Sequence, residues 1–428
     1  MTQPLAVATA ARYRAYGPRQ LNEISARFGI PAPVRETARL LSQVFPFRVN
    51  EYVLTNLIDW RQVPDDPIYQ MVFPQPTMLS IKDTKRLAGL TGAELSSAVR
   101  DIRARLNPHP SGQRELNVPT LDGAELPGMQ HKYRETVLYF PGHGQTCHAY
   151  CTYCFRWAQF VGDPDLQFAA PDPCRLVGYL GRHPEVSDVL VTGGDPLVMS
   201  TDRLRAHLEP ILAVESVRTI RLGTKSVAYW PYRFTADRDA DDLLRLFEQI
   251  VTTGRTVAVM AHFSHPRELD PEVAQHAVAR IRATGAVVYC QAPLIARVND
   301  QAEIWTRLWR AELGLGAVPY YLFVERDTGP HDYFKVPLAR AVEIFQAAYR
   351  DLPGLARTVR GPVMSAKPGK VVVDGAAGEF LQLRFLQARD PALVGRPFLA
   401  RYPAGAAWLD ELALDPSTPA DIAAAIQG

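Results

Sequence analysis

Residues 188–195 read DVLVTGGD, a short run rich in β-branched residues that is closed by two glycines and an aspartate. An apolar run of this length, ended by a turn signal, predicts a buried strand. The pattern returns at 217–224 (VRTIRLGT), 256–263 (TVAVMAHF), 286–294 (AVVYCQAPL) and 318–325 (VPYYLFVE), roughly every 30 to 40 residues. Between these runs, 202–214, 239–251 and 271–285 carry apolar residues at spacings of three and four, the mark of amphipathic helices. Strands alternating with helices form right-handed βαβ units on a parallel sheet, which predicts an α/β fold and a full or partial β/α barrel. Functional residues of such barrels gather at the C-terminal ends of the strands. Gly193, Gly194, Asp195, Gly223, Thr224, His262, Gln291 and Arg326 then share one mouth.

Outward from the barrel, residues 1–126 are proline-rich, with helical spacing at 26–45 and 91–107. Residues 127–342 form the barrel region, and 343–428 hold a helix, a lysine-bearing loop SAKPGK (365–370), a short strand and a proline-interrupted tail. With 428 residues, 47% of them apolar and 21% charged, the chain can bury two or three domains. The formal net charge is +2 and no run of five like charges occurs, so neither a nucleic-acid nor a membrane partner is expected. The first residues, MTQPLAVATAARYR, contain no long apolar core, which predicts a cytoplasmic protein whose thiols stay reduced.

Three of the five cysteines, Cys147, Cys151 and Cys154, lie within the eleven residues CHAYCTYCFRW. A disulfide does not suit a reducing compartment. Structural zinc needs four ligands; His148 could complete the set, while Cys174 and Cys290 lack a CxxC neighbour. An iron–sulfur cluster on the spacing C-x3-C-x2-C needs only three thiolates and leaves one iron open.

This triplet, with Tyr153 before its last cysteine and TGGDP some forty residues on, resembles the radical S-adenosylmethionine (SAM) superfamily. The resemblance implies a partial (β/α)6 radical SAM barrel with an N-terminal helical extension and a C-terminal α/β segment. It also implies a [4Fe-4S] cluster on the three cysteines and SAM held by Tyr153, Gly193, Gly194, Asp195, Thr224 and His262. The glycines would let the backbone approach the methionine amine. Reductive cleavage of SAM would then give a 5′-deoxyadenosyl radical that abstracts hydrogen.

Six segments, at 45–60, 125–140, 191–200, 261–266, 291–300 and 318–325, further resemble the lysine 2,3-aminomutase family in order and spacing. That likeness implies that Arg156 binds the substrate carboxylate and that Lys370 carries pyridoxal phosphate (PLP) as a Schiff base, with Lys132, Tyr133 and Gln291 on the phosphate. A guanidinium suits a carboxylate because it makes two parallel hydrogen bonds. Departures are visible too. The glycine run before Lys370 is short, Lys367 is added, and two family arginines align with Thr136 and Ala296, where Arg134 and Arg297 are neighbours that could compensate. The two aspartates that hold the distal ammonium of lysine align with Arg326 and Ser365. The implied activity is a 2,3-aminomutase acting on a non-lysine, acidic amino acid, unless Glu325 and Asp327 neutralise Arg326. An electron donor such as flavodoxin or ferredoxin is implied, and a homo-oligomer is compatible with the family. Two other readings stay open, a PLP-independent radical dehydrogenase, eliminase or epimerase and a non-catalytic iron–sulfur sensor.

Overall fold

The computed structural model describes residues 12–427, so the first eleven residues, on which the absence of a leader was read, lie outside it. Its centre is a twelve-stranded sheet whose strands lie side by side in chain order. These are β1 Met129–Tyr133, β2 Thr136–Tyr139, β3 Asp188–Val191, β4 Thr219–Thr224, β5 Thr256–His262, β6 Val287–Leu294, β7 Val318–Val324, β8 Arg360–Ser365, β9 Gly369–Ala377, β10 Phe380–Ala388, β11 Pro397–Arg401 and β12 Ala413–Leu414. Strands β2 to β8 run parallel, and β1 and β9 to β12 are antiparallel to their neighbours. The fold is therefore a mixed α/β structure.

The five strand runs read from sequence are β3 to β7, and the helical runs form helices at Thr201–Leu212, Ala240–Thr252 and Glu272–Ala283. Side chains alternate along a strand. One set, including Val189, Val191, Ile220, Leu222, Val259, Val288 and Cys290, joins Leu208, Phe247 and Ile281 of the helices in one apolar core. The other set, including Asp188, Arg221, Met260, His262, Tyr289 and Gln291, faces the opposite side of the sheet. The sheet curls until its distant strands meet there. The Lys132 ammonium of β1 donates to the Ala366 carbonyl just past β8, and the Lys370 ammonium of β9 stands 5.4 Å from the Tyr133 ring centroid of β1.

Two regions depart from expectation. The sequence around 360–365 was not read as a barrel strand, yet RGPVMS is the seventh parallel strand. Lys370, expected in a loop, is the second residue of β9 and pairs with Ser365 of β8. The C-terminal region contributes four antiparallel strands with their own core of Leu381, Leu383, Phe385, Phe398 and Trp408. The N-terminal helices Leu21–Phe28, Ala32–Leu41 and Gly92–Arg105 share the apolar core of the parallel strands. No helix among the described residues is long and apolar enough to cross a membrane.

Candidate functional site

The cysteine loop follows β2 and is clamped from two sides. On one side, the Arg48 carbonyl accepts from the Tyr150 amide at 2.8 Å, the Met71 carbonyl from the Thr152 amide at 2.8 Å, and the Gln70 carbonyl from the Thr152 hydroxyl at 2.8 Å. Asn50, fully buried, donates its amide to the carbonyls of His148 at 3.2 Å and Tyr229 at 2.8 Å. On the other side lies the end of β3. A Cβ on Gly194 would stand 2.5 Å from the Thr146 nitrogen and 2.6 Å from the Gly144 carbonyl, while one on Gly193, at φ +126°, would strike the Gln145 amide. The close approach that requires these glycines is thus that of the chain's own cysteine loop.

Asp195 is buried and saturated. It accepts from the amides of Leu197 and Lys225 at 2.9 Å, from the Thr224 hydroxyl at 2.7 Å and from the Ser226 hydroxyl at 2.9 Å. Asp195 and Thr224 consequently tie the ends of β3 and β4 together. Tyr153 is buried under the loop with its hydroxyl 2.8 Å from that of Ser264. His148 turns its ring Nδ1 to Ser226, 2.9 Å away, and burial holds it neutral with a pKa near 3.

Burial pushes all three thiols up, Cys154 to about 12, and each of Cys147 and Cys154 also feels the thiol of Cys151. Among the described residues no three His, Cys, Asp or Glu side chains converge as they would on a single ion.

At the same mouth His262, ending β5, places its Nε2 2.9 Å from the Gln291 amide nitrogen. Burial, aided by Lys225 and Arg156, depresses its pKa to about 3, so the ring is neutral and accepts from that amide. Gln291 is therefore engaged by His262, with Lys132 and Tyr133 grouped instead with Lys370 and Ala366.

Two guanidiniums share one aromatic ring. Arg156 lies 4.8 Å and Arg326 4.6 Å from the Phe155 centroid, and Arg156 also covers Phe140 at 4.4 Å. The Arg156 Nη1 is buried with no hydrogen-bond partner, and burial together with the charge of Arg326 lowers its pKa to about 9. Glu325 and Asp327 act on Arg326 through space, and burial pushes the Glu325 carboxyl well above the usual carboxylate range.

Deeper inside, burial lowers Lys132 to about 6, with Arg326, Arg389 and Lys370 adding repulsion, and lowers Lys370 to about 7, with Arg221 and Arg360 adding to it. The Lys370 ammonium donates to Gln387 at 2.8 Å and faces the Tyr321 ring at 4.9 Å. Asp188 is engaged by Arg221, which binds it through Nε at 2.9 Å and Nη2 at 2.6 Å, and Thr136 donates to it at 3.2 Å. Of the two arginines expected to compensate, Arg134 is exposed and Arg297 lies over the Tyr333 ring at 4.5 Å. Ser365 receives the Ser111 hydroxyl at its carbonyl, 3.2 Å away. Arg48, Asn50, Lys225, Tyr229 and Arg221 were missed by sequence reasoning; only RVNEY, inside a recognised segment, hinted at the first two.

No family model matches the chain. A protein of Aquifex aeolicus named "Putative L-lysine 2,3-aminomutase" is 31% identical over 383 residues, covering 89% of this chain and 91% of the relative. The chain belongs to the lysine 2,3-aminomutase family. Proteins named L-lysine 2,3-aminomutase from Fusobacterium nucleatum and Escherichia coli are 24% and 28% identical, over 62% and 60% of this chain and 67% and 70% of their own lengths. Members of the lysine 2,3-aminomutase family use a [4Fe-4S] cluster, SAM and PLP. The residues present fit these groups. Three half-buried thiols meet the cluster's need for soft anionic ligands, and a desolvated lysine amine with surrounding cations meets the need of an aldehyde that carries a phosphate.

Proposed function

We propose that this chain is a radical SAM 2,3-aminomutase for an acidic amino acid, built as a partial radical SAM barrel over 127–342 with flanking regions 1–126 and 343–428. The observation that carries the reading is the pair of guanidiniums, Arg156 buried and Arg326 half-buried, that share Phe155 and have no ion-pair partner among the described residues. A buried, uncompensated charge costs several kcal/mol unless a counter-ion joins it. Two such charges at one mouth suit a ligand with two carboxylates. Lysine, with a distal ammonium, would add a third like charge.

Cys147, Cys151 and Cys154 would hold the cluster, and Gly193, Gly194 and His262 would face SAM, with Tyr153, Asp195 and Thr224 supporting them. Lys370 would hold PLP, and Lys132 and Tyr133 would face its phosphate, with Gln291 oriented through His262. When bound, these groups supply a carbon-centred radical and a π system across which an amino group can migrate. The chain's own residues do the rest. Arg156 holds the α-carboxylate, Arg326 holds the distal carboxylate, and Ser365 offers a small neutral wall where a second anion would repel the substrate. Lys370, at a pKa near 7, keeps a large neutral fraction at physiological pH. A flavodoxin or ferredoxin would supply electrons in the cytoplasm.

The test is product formation by anaerobically reconstituted protein with SAM, PLP and dithionite. Glutamate should yield its β-amino isomer while lysine does not. Turnover of lysine alone, or of no amino acid in the presence of SAM cleavage, contradicts the reading.

A further inference from the structure

The mechanism leaves one buried group beside the cysteine loop without a role. Lys225, next to Thr224 at the end of β4, has a side chain only 12% exposed. Its ammonium lies 2.6 Å from Glu268, donates to the His262 carbonyl at 3.1 Å and sits 4.6 Å from the Tyr229 ring centroid. Glu268 is fully buried and accepts from the amides of Ser264 and His265 at 2.5 Å and 3.1 Å, so it cannot swing away. The same tyrosine, itself buried, reaches the Cys151 sulfur with its hydroxyl at 3.9 Å. An ammonium, an aromatic face, a phenol and a ligand sulfur thus stand in line.

We propose that Lys225 and Tyr229 set the reduction potential of the cluster through Cys151. The proposal rests on the cluster reading above. In the protonated thiol the S–H donates to the phenol oxygen; once Cys151 is a thiolate ligand it can only accept, and the phenol turns its O–H toward the sulfur. The lysine charge on the ring face strengthens that donor. A hydrogen bond to sulfur and a nearby positive charge both favour the more negative, reduced cluster and so raise its potential. Lys225 and Tyr229 are positioning residues, because they act through the ligand.

The experiment reconstitutes wild type, Tyr229→Phe, Lys225→Met and Glu268→Gln without SAM. Iron and sulfide content are measured first, and the midpoint of the one-electron couple is then titrated with dithionite by electron paramagnetic resonance. Tyr229→Phe and Lys225→Met should each lower the ratio of reduced to oxidised cluster about tenfold at fixed potential, a 59 mV fall for one electron. Glu268→Gln should move the midpoint upward, since it leaves the lysine charge uncompensated. Unchanged midpoints at equal cluster content, or a downward shift in Glu268→Gln, overturn the proposal. Should Lys225→Met fail to fold, Tyr229→Phe, which keeps the ring, still decides it. A wild type that binds no cluster overturns the underlying reading instead, and the iron content reveals that separately.

Discussion

Replacing Arg326 with methionine removes one guanidinium and keeps most of its length. Truncating one partner of a buried, hydrogen-bonded charge pair costs about 2–5 kcal/mol. Arg326 stands at the mouth and remains half-buried, so the lower part of that range applies. About 2–3 kcal/mol corresponds to roughly a 30- to 150-fold rise in KM for the acidic substrate, at 1.4 kcal/mol per tenfold. The same change should not destabilise the apoprotein, because Arg326 has no carboxylate partner to lose and its charge repels Arg156. The assay is β-amino acid formation with an acidic substrate and with its uncharged amide, beside thermal melting of the apoprotein. Arg326→Met should penalise the acid selectively, whereas Arg156→Met should penalise both. A KM for the acid that moves less than about threefold, or an equal loss for the amide, refutes the assignment.

Gly194→Ala should drive a methyl group into the Thr146 and Gly144 backbone, costing about 3 kcal/mol or more and lowering iron content on reconstitution. Iron analysis and a denaturant melt check it. Asn50→Ala removes two donors from the carbonyls that anchor the cysteine loop and the Tyr229 turn, for a loss of about 2–3 kcal/mol in unfolding free energy. PLP capture, followed by a visible absorbance that borohydride removes, should have its half-maximal rate near pH 7, because burial depresses Lys370 from 10.5 to about 7 and only the neutral amine reacts. Lys370→Met should abolish that absorbance. For the apoprotein the sign of the linkage is set by the same shift: between about pH 7 and 10.5 the unfolded chain binds the extra proton, so stability rises with pH, and Lys370→Met should flatten the rise in a pH series of melts.

The strands β3 to β7 were legible because a buried parallel strand is a compact apolar run ended by a turn signal, and nothing longer in range competes with it. RGPVMS was not, since Gly361 and Pro362 are punctuators that ordinarily end a strand. The triplet announced its chemistry through spacing, but the clamp on it is made largely of the carbonyls of Arg48, Gln70 and Met71, and a backbone group has no sequence signature. Lys370 was recognisable as an amine of the right type, while Gln387 is its pairing partner on the adjacent strand β10 and Tyr133, on β1, meets it only because the sheet curls. Arg134, close in sequence to the expected phosphate side, is exposed, and Tyr229, missed in the sequence, reaches the sulfur of Cys151.

The central claim is that hydrogen is removed from an acidic amino acid held between Arg156 and Arg326. Incubating the reconstituted protein anaerobically with SAM, dithionite and perdeuterated amino acids, one at a time, and weighing the 5′-deoxyadenosine by mass spectrometry tests it directly. Deuterium should pass from glutamate or aspartate to 5′-deoxyadenosine and should not pass from lysine. Label arriving from lysine, or 5′-deoxyadenosine formed without label from either acid, contradicts the account.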